Sequence, residues 1–235
     1  MTSVTPDDEE VLSLEFKGVT HEDLKVILTK LHTDRKQRRR QKCPRLDGVD
    51  ARIARLSSSS KISKMDFHGN TGIGDEGMEH LHLIPETVQD LDFSGCYLTC
   101  SGIKTLCKWL EGNKHIKSMK LWGNYMVDEA SRAVGEMLGK NDTLEELYIS
   151  PIKWRRSPRV TWRAARYVCA GLRQNCTLRH FSFSNLGERD DIEFECGWLR
   201  AFASFAFANP SPLSKPCKLD VFPQHVKSTT NRGKI

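Results

Sequence analysis

The stretch VQDLDFSGCYL, residues 88–98, has near-copies at residues 62–72 (ISKMDFHGNTG) and 116–126 (IKSMKLWGNYM). In each copy apolar residues occupy the first, fourth and sixth positions, and Asn or Cys occupies the ninth. The copies start at residues 62, 88 and 116, which are 26 and then 28 residues apart. Alternation of polar and apolar residues is typical of a strand with one buried face. A pattern that recurs at this period predicts stacked units.

The pattern continues, with changes, after these three copies. LEELYISPI (144–152) starts 28 residues after the third copy, and LRHFSFSNL (178–186) starts 34 residues later still. Ile152 and Leu186 stand where the earlier copies have Asn or Cys. We interpret both segments as further units with longer connections.

Two flanking segments resemble degenerate copies of the same strand. They are LSLEFKGV (12–19) and CKLDVFP (217–223). The apolar strand positions are assigned to Leu14 and Phe16 in the first segment and to Leu219 and Val221 in the second.

Between the strands the sequence changes to a helical period. In residues 101–113, Ile103, Leu106, Cys107 and Leu110 fall on one helical face. Gly112 and Gly139 lie near predicted helix ends, where a residue with left-handed backbone often closes the last turn. The other predicted helices are GMEHLHLI (77–84), DEASRAVGEMLGKN (128–141), WRAARYVCAGLRQN (162–175) and CGWLRAFASFAFAN (196–209).

This strand–turn–helix unit resembles the leucine-rich repeat, specifically the ribonuclease-inhibitor-like intracellular type. The resemblance implies an α/β solenoid with a curved parallel sheet on the concave face and helices on the convex face. About five units are clear, and up to seven are present if the flanking segments count. The predicted divisions are a degenerate repeat or cap (1–33), a basic flexible insertion (34–60), the array (61–209) and a C-terminal strand and tail (210–235).

The polar strand positions form the predicted binding face, because apolar positions build the core of such an array. Trp122 and Tyr148 lie on neighbouring strands, and exposed aromatics among charged residues are typical of binding hot spots. Alternatively, Trp122 only covers neighbouring backbone. Asp66, Asp90 and Asp92 lie on adjacent predicted strands. They can hold a cation, or they can form a solvated acidic patch. The candidates for partner binding on this face are Asp66, His68, Asp90, Asp92, Lys120, Trp122, Glu146, Tyr148 and His180.

A second candidate surface lies in the long unit, where basic residues alternate with tryptophans. Trp154, Arg155 and Arg156 are its candidate contact residues, within the segment 153–166. Such a composition suits phosphate backbones and stacked bases, and it suits an acidic protein equally well. Trp162 also fits the inward face of the predicted helix.

The insertion at residues 34–60 carries a run of like charges that repel one another and lack apolar partners. It is interpreted as a nuclear-import signal, a polyanion contact or a solvated loop. The basic residues of this run are Arg35, Lys36, Arg38, Arg39, Arg40 and Lys42.

Other patterns argue against nucleotide binding and catalysis. The G-x-G-x-x-G at Gly72, Gly74 and Gly77 follows a strand with one polar face, and Asp75 and Glu76 would repel a phosphate there. We expect these glycines to permit a tight turn and the two acids to favour the following helix N-terminus. No C-x-x-C pair or catalytic set of Ser, His and Asp is visible, so we expect free thiols and no cofactor.

The sequence therefore predicts a non-enzymatic protein-binding module or scaffold. Two alternatives stay open: a nuclear nucleic-acid-associated protein that uses segments 35–45 and 153–166, and a regulator of a small GTPase. With no secretory signal and no long apolar run, we expect an intracellular protein, cytoplasmic or nuclear, without a membrane contact. The oligomeric state is left open.

Overall fold

A computed structural model describes residues 10–32, 62–151, 162–183 and 218–220. Within these residues seven strands form one parallel sheet, in which the spatial order follows the chain order. Each strand is therefore joined to its neighbour through one crossover. The strands are β1 (Glu10–Ser13), β2 (Ile62–Asp66), β3 (Asp90–Asp92), β4 (Ser118–Asn124), β5 (Glu146–Pro151), β6 (His180–Phe183) and β7 (Lys218–Asp220).

In the described part of the chain a helix lies in each of the five crossovers from β1 to β6, and each helix packs against the next along the array. This arrangement confirms the predicted α/β solenoid of stacked units. The helices are α1 (His21–His32), a 3₁₀ helix (Glu76–Leu83), α2 (Cys100–Gly112), α3 (Asp128–Leu138) and α4 (Trp162–Leu172). The predicted helix at 196–209 lies outside the described residues.

The core is built from two apolar strand positions in each unit. Register pairing places each such residue beside its equivalent in the next strand, and all of them are buried. Burial of one such side chain stabilises by roughly 1.5–3 kcal/mol. The first row is Met65, Leu91, Met119, Leu147 and Phe181, and the second is Phe67, Phe93, Leu121, Ile149 and Phe183.

Asn and Cys at the ninth position tie each unit to the one before. The Asn70 amide donates to the carbonyls of Leu14 (2.8 Å) and Phe67 (2.7 Å). At the equivalent position the Cys96 thiol donates to the Phe67 carbonyl at 3.2 Å. These side chains satisfy buried carbonyls that no strand or helix pairs, which explains the restriction to Asn or Cys.

A second asparagine series closes the helices. The Asn141 carbonyl oxygen accepts from the backbone N–H of Thr143 (2.9 Å) and Leu144 (2.7 Å). The prediction that Gly112 and Gly139 close the helices in left-handed conformation is wrong. Gly139 has φ −68° and ψ −15°, and Gly112 is not among the residues with positive φ. The chain leaves α2, α3 and α4 through backbone that the side chains of Asn113, Asn141 and Asn175 satisfy.

The helix over residues 76–83 is a 3₁₀ helix. Its unit spans 26 residues from Ile62 to Val88, two fewer than the next unit. A 3₁₀ helix rises about 2.0 Å per residue, so its eight residues cover about 16 Å. The 13 residues of α2, in the next unit, cover about 20 Å at ~1.5 Å each. The 3₁₀ helix is therefore only about 4 Å shorter, although it has five fewer residues.

The G-x-G-x-x-G stretch forms a turn and a contact between units. Gly74 has φ +54°, which fits the predicted tight turn. Asp75 and Glu76 lie at the start of the 3₁₀ helix, as predicted, although the Asp75 carboxylate makes no capping bond to it. This carboxylate accepts from the Thr99 backbone N–H (2.8 Å) and from the Thr99 hydroxyl, at the start of α2. A Cβ at Gly102 would lie 2.2 Å from the same carboxylate, so a larger residue here would displace the Asp75 side chain.

The N-terminal unit docks on the array, a point that the sequence left open. β1 pairs with β2, and the His21 N–H donates to the Gly72 carbonyl at 3.0 Å. The assignment of Phe16 to the core is wrong. Leu12 pairs in register with Met65 and is buried with Leu14, whereas Phe16 is 67% exposed.

Candidate binding face

Polar strand residues line the sheet on the side away from the core. We call this surface the open face; it corresponds to the predicted concave face. Register pairing arranges its residues in rows across the strands. The first row is Lys64, Asp90, Ser118, Glu146 and His180, the second is Asp66, Asp92, Lys120, Tyr148 and Ser182, and Trp122 pairs with Ser150 one step further.

Aromatic rings form a continuous series over the centre of the open face. Trp122 meets Tyr148 edge to face, with ring centroids 5.7 Å apart and an interplanar angle of 87°. The predicted proximity of this pair is therefore confirmed. His180 lies 4.8 Å from the Tyr148 ring, and the Lys120 ammonium lies 6.0 Å from the centroid of that ring. Tyr148 is thus held by three neighbours, while Trp122 is 42% exposed.

A depression of about 140 Å³ lies beside these rings. Glu146 lies at its edge, where the hydroxyls of Ser118 (3.0 Å) and Tyr148 (3.2 Å) both donate to its Oε2 atom. Ser118 is only 8% exposed, so its side chain is held by the surrounding residues. Its hydroxyl therefore fixes the position of the Glu146 carboxylate. The residues that line the depression are Lys64, Asp90, Leu91, Asp92, Ser118, Lys120, Glu146 and Tyr148.

The acidic residues of β2 and β3 have a structural role at the strand ends. Asp66 accepts from the His68 N–H at 3.0 Å, and Asp92 accepts from the Ser94 N–H at 2.8 Å. Within the described ranges no group of three His, Cys, Asp or Glu side chains is arranged to hold a metal ion. This arrangement gives no support to the cation-binding interpretation of Asp66, Asp90 and Asp92.

His68 belongs to a second aromatic group at the N-terminal end of the open face. Its Nδ1 atom lies 3.3 Å from the Glu15 carboxylate, and its ring lies 4.9 Å from the Phe16 ring. Phe16 has φ +51°, and its ring carbons would lie 2.2 Å from a Cβ at Gly69. The ring therefore covers a glycine of the next unit. The sequence did not indicate this arrangement, because it placed Phe16 in the core.

A tyrosine pair on the turns after β3 and β4 was also missed. Tyr97 and Tyr125 occupy the same position in consecutive units, and their rings meet edge to face at 5.0 Å. A hydrogen bond that the Tyr125 hydroxyl donates to Tyr97 raises the pKa of Tyr125, because it stabilises the protonated form. Their equivalent places in the repeat are the signal from which the sequence could have predicted the contact.

The remaining predicted contact residues lie outside the described residues. They are Trp154, Arg155, Arg156 and the basic run Arg35, Lys36, Arg38, Arg39, Arg40 and Lys42. Of the long basic unit, the structure shows exposed Arg163 and Arg166 on α4.

The described cysteines carry no disulfide, as predicted. Burial raises the pKa of Cys96 and of Cys169 to about 12, and it raises that of Cys107 as well. A thiol that stays protonated is a poor nucleophile, so these three residues act as small core side chains. Cys176 is exposed, and Cys43, Cys196 and Cys217 lie outside the described residues.

No helix in the described part of the chain is long and apolar enough to cross a membrane.

Comparison with known proteins gives the following similarities. No protein-family model matches the sequence. A ribonuclease inhibitor from Sus scrofa is 29% identical over 135 residues, which cover 55% of this chain and 28% of that protein. The chain thus spans under a third of the length of this relative.

Two solved structures are similar at lower identity. One is leiomodin-1 actin-binding site 2, with a TM-score of 0.41 and 16% identity over 57% of this chain and 72% of that one. The other is the Caenorhabditis elegans tropomodulin C-terminal domain, with a TM-score of 0.42 and 9% identity over 86% and 88% of the two chains.

Proposed function

Because the chain is a leucine-rich-repeat protein with repeats of the ribonuclease-inhibitor-like type, we propose that it is a non-enzymatic protein-binding module whose open face holds the partner. The inhibitor from Sus scrofa is named for an effect on another protein, which supports a binding role. Since the chain spans only 28% of that relative, the partner is proposed from the geometry of the open face.

The observation that carries the proposal is the exposed Trp122 ring at the centre of the open face. A large apolar side chain that stays 42% exposed keeps apolar area in water, and a partner that covers this area adds further stabilisation. Its edge-to-face contact with Tyr148 fixes the ring before a partner arrives. A rigid aromatic side chain loses little conformational freedom on binding, which favours affinity.

The charged neighbours give this surface the composition of an interface centre. Asp92 and Lys120 pair in register beside the aromatic pair, and Glu146 is held by two hydroxyls. Polar groups that are already oriented need little reorganisation when they bind a partner. We therefore place the contact around β3, β4 and β5, with Asp66, Asp90, His68 and His180 at its margins.

A capture experiment with purified full-length variants tests the proposal. We expect proteins captured by the unmodified chain to be lost with Trp122→Ala and with Tyr148→Ala. Truncation of a central aromatic in an interface costs about 2 kcal/mol or more, or roughly a 30-fold loss of affinity. Partners are identified by mass spectrometry of the captured material.

Tyr167 provides the matched control, because it is an aromatic residue on α4 with 39% exposure, close to that of Trp122. Tyr167→Ala should leave the captured set unchanged. If all three variants capture the same proteins as the unmodified chain, the open face is not the binding surface.

The alternatives that involve nucleic acid or a small GTPase remain predictions from the sequence. Segments 35–45 and most of 153–166 lie outside the described residues. The placement of the protein in the cytoplasm or the nucleus also remains a prediction.

A further inference from the structure

We propose that the depression on the open face receives one basic side chain, arginine or lysine, from the protein partner, and that Glu146 selects it. This inference rests on the proposed function and adds the chemistry of the partner. It concerns the depression formed by β2 to β5 and the exposed ring of Trp122 beside it.

The charge of the open face is opposite in sign to that of the whole chain. The chain has a formal net charge of +6. The two described rows of the open face instead carry four carboxylates, at Asp66, Asp90, Asp92 and Glu146, and two lysines, at Lys64 and Lys120. A local excess of negative charge attracts a cationic group and disfavours an anionic one.

Three carboxylates line the depression, those of Asp90, Asp92 and Glu146. Glu146 is the one that has no lysine at the paired position of a neighbouring strand. Lys64 pairs with Asp90, and Lys120 pairs with Asp92. The register neighbours of Glu146 are Ser118 and His180. Among the carboxylates of the depression, Glu146 is therefore the one with no ammonium group directly beside it in the register.

Hydrogen bonding leaves one Glu146 oxygen available for a guest. The hydroxyls of Ser118 and Tyr148 both end on Oε2. These two bonds fix the carboxylate and leave Oε1 to accept a bond from outside. A charge-assisted hydrogen bond from a guanidinium or ammonium group is about twice as strong as a neutral one.

The distance between Trp122 and Glu146 suits a long basic side chain. Ser118 on β4 pairs with Glu146 on the neighbouring strand β5. Trp122 follows Ser118 by four residues along β4, so it is one strand across and four residues along from Glu146. At ~3.3 Å per residue and ~4.8 Å per strand, the two backbone positions are about 14 Å apart. Tyr148 lies between them, because its ring meets the Trp122 ring and its hydroxyl donates to Glu146. Arginine and lysine pack their aliphatic stems on apolar surface while the charged head reaches a polar partner.

Selection of peptides on the full-length chain tests this inference. The probe is a phage-displayed library of random twelve-residue peptides, selected separately on the unmodified chain and on Glu146→Lys, Glu146→Gln and Trp122→Ala. We expect peptides selected on the unmodified chain to share an arginine or lysine at one fixed position. Glu146→Lys should select aspartate or glutamate at that position, because the charge of the receiving group is reversed.

Affinity measurements on one selected peptide complete the test. Glu146→Gln should weaken binding about tenfold or more, since a hydrogen bond to a charged group is lost. Glu136 on α3 provides the control, because its carboxylate pairs with Arg132 on the helical side of the molecule. Glu136→Gln should leave the affinity unchanged. Denaturant unfolding of each variant checks that all of them are folded.

The outcomes separate this inference from the proposed function. Peptides that need Trp122 but have no fixed basic position, or that are the same on Glu146→Lys, overturn the inference and leave the proposed function standing. If no selected peptide depends on Trp122, both are overturned.

Discussion

Asn124 shows how a single polar side chain joins two units. Its amide donates to the carbonyls of Phe93 (2.9 Å) and Leu121 (3.2 Å), and its carbonyl oxygen accepts from the Leu98 N–H at 3.0 Å. The residue is 1% exposed, so no water replaces these bonds when the side chain is removed. The repeat pattern identified this position, and the bonds give the physical reason for it.

We expect Asn124→Ala to lower the free energy of unfolding by about 2–4 kcal/mol, because it leaves buried backbone groups without partners. Urea unfolding followed by circular dichroism measures the change. Gln89 is exposed on the loop before β3, and Gln89→Ala should change stability by less than about 0.5 kcal/mol. Equal stability of the two variants would show that the asparagine bonds contribute nothing net.

Phe16 shows where prediction at single residues failed. Leu12, Leu14 and Phe16 alternate with polar residues, so the pattern allows two registers for the N-terminal strand. A shift of two residues keeps the same face inward, and alternation alone cannot distinguish the two. Pairing of Leu12 with Met65 decides the register and leaves Phe16 over Gly69.

At the scale of elements, α3 and α4 approach each other through glycine. A Cβ at Gly135 would lie 2.2 Å from the Tyr167 carbonyl oxygen, and one at Gly171 would lie 2.0 Å from the Gly135 carbonyl oxygen. Backbone atoms cannot move aside as flexible side chains do. Both glycines are therefore required for the spacing of these two helices.

We expect Gly135→Ala to destabilise the protein by about 3 kcal/mol, because the added methyl group forces the helices apart. Gly112→Ala is the matched control, since it is also helical and nothing lies within 4 Å of its added Cβ. The control should be neutral or stabilising by up to about 1 kcal/mol, because alanine favours the helix. The two unfolding midpoints are compared by thermal denaturation. A Gly135→Ala midpoint at or above that of Gly112→Ala would contradict the close packing.

The sequence predicted whether a segment is a strand or a helix better than it predicted the helix geometry or the contacts between units. Within the described residues, periodicity predicted the strands and the helices after β2 in the right places, because one-sided burial imposes periods of 2 and 3.6 residues. The helix α1 (His21–His32) was not predicted. The 3₁₀ helix at Glu76–Leu83 and the role of Asp75 in the next unit were not predicted. Both depend on distances between units, which no pattern within one unit contains.

At the scale of the whole molecule, the N-terminal unit extends the array. Leu24 on α1 is fully buried, as Leu91 is in the centre of the sheet at 2% exposure. α1 packs on the 3₁₀ helix, and Asn70 bonds both Leu14 and Val19. A repeat array gains stability from such contacts between neighbours.

We expect Leu24→Ala to lower the free energy of unfolding about as much as Leu91→Ala, by about 2–5 kcal/mol each. The physical reason is that each substitution removes a buried apolar side chain, and both side chains belong to one cooperative unit. Urea unfolding with two probes, far-UV circular dichroism and tryptophan fluorescence, measures both variants. A Leu24→Ala protein with an unchanged main transition would show that the N-terminal unit unfolds separately.

The division of the chain into a cap (1–33), an insertion (34–60), an array (61–209) and a tail (210–235) remains a prediction, as do the contact residues of the open face. Pairing of β1 with β2 joins the cap to the array within the described residues.

The sequence by itself determined the solenoid and its core, because a repeated apolar pattern can be buried only when units stack. It also determined which strand positions remain polar. Tertiary structure alone decided the register of β1, the contact of Asp75 with Thr99 and the fixed position of Glu146. Each of these joins residues from different units at distances of a few ångströms, and such distances depend on how the units stack.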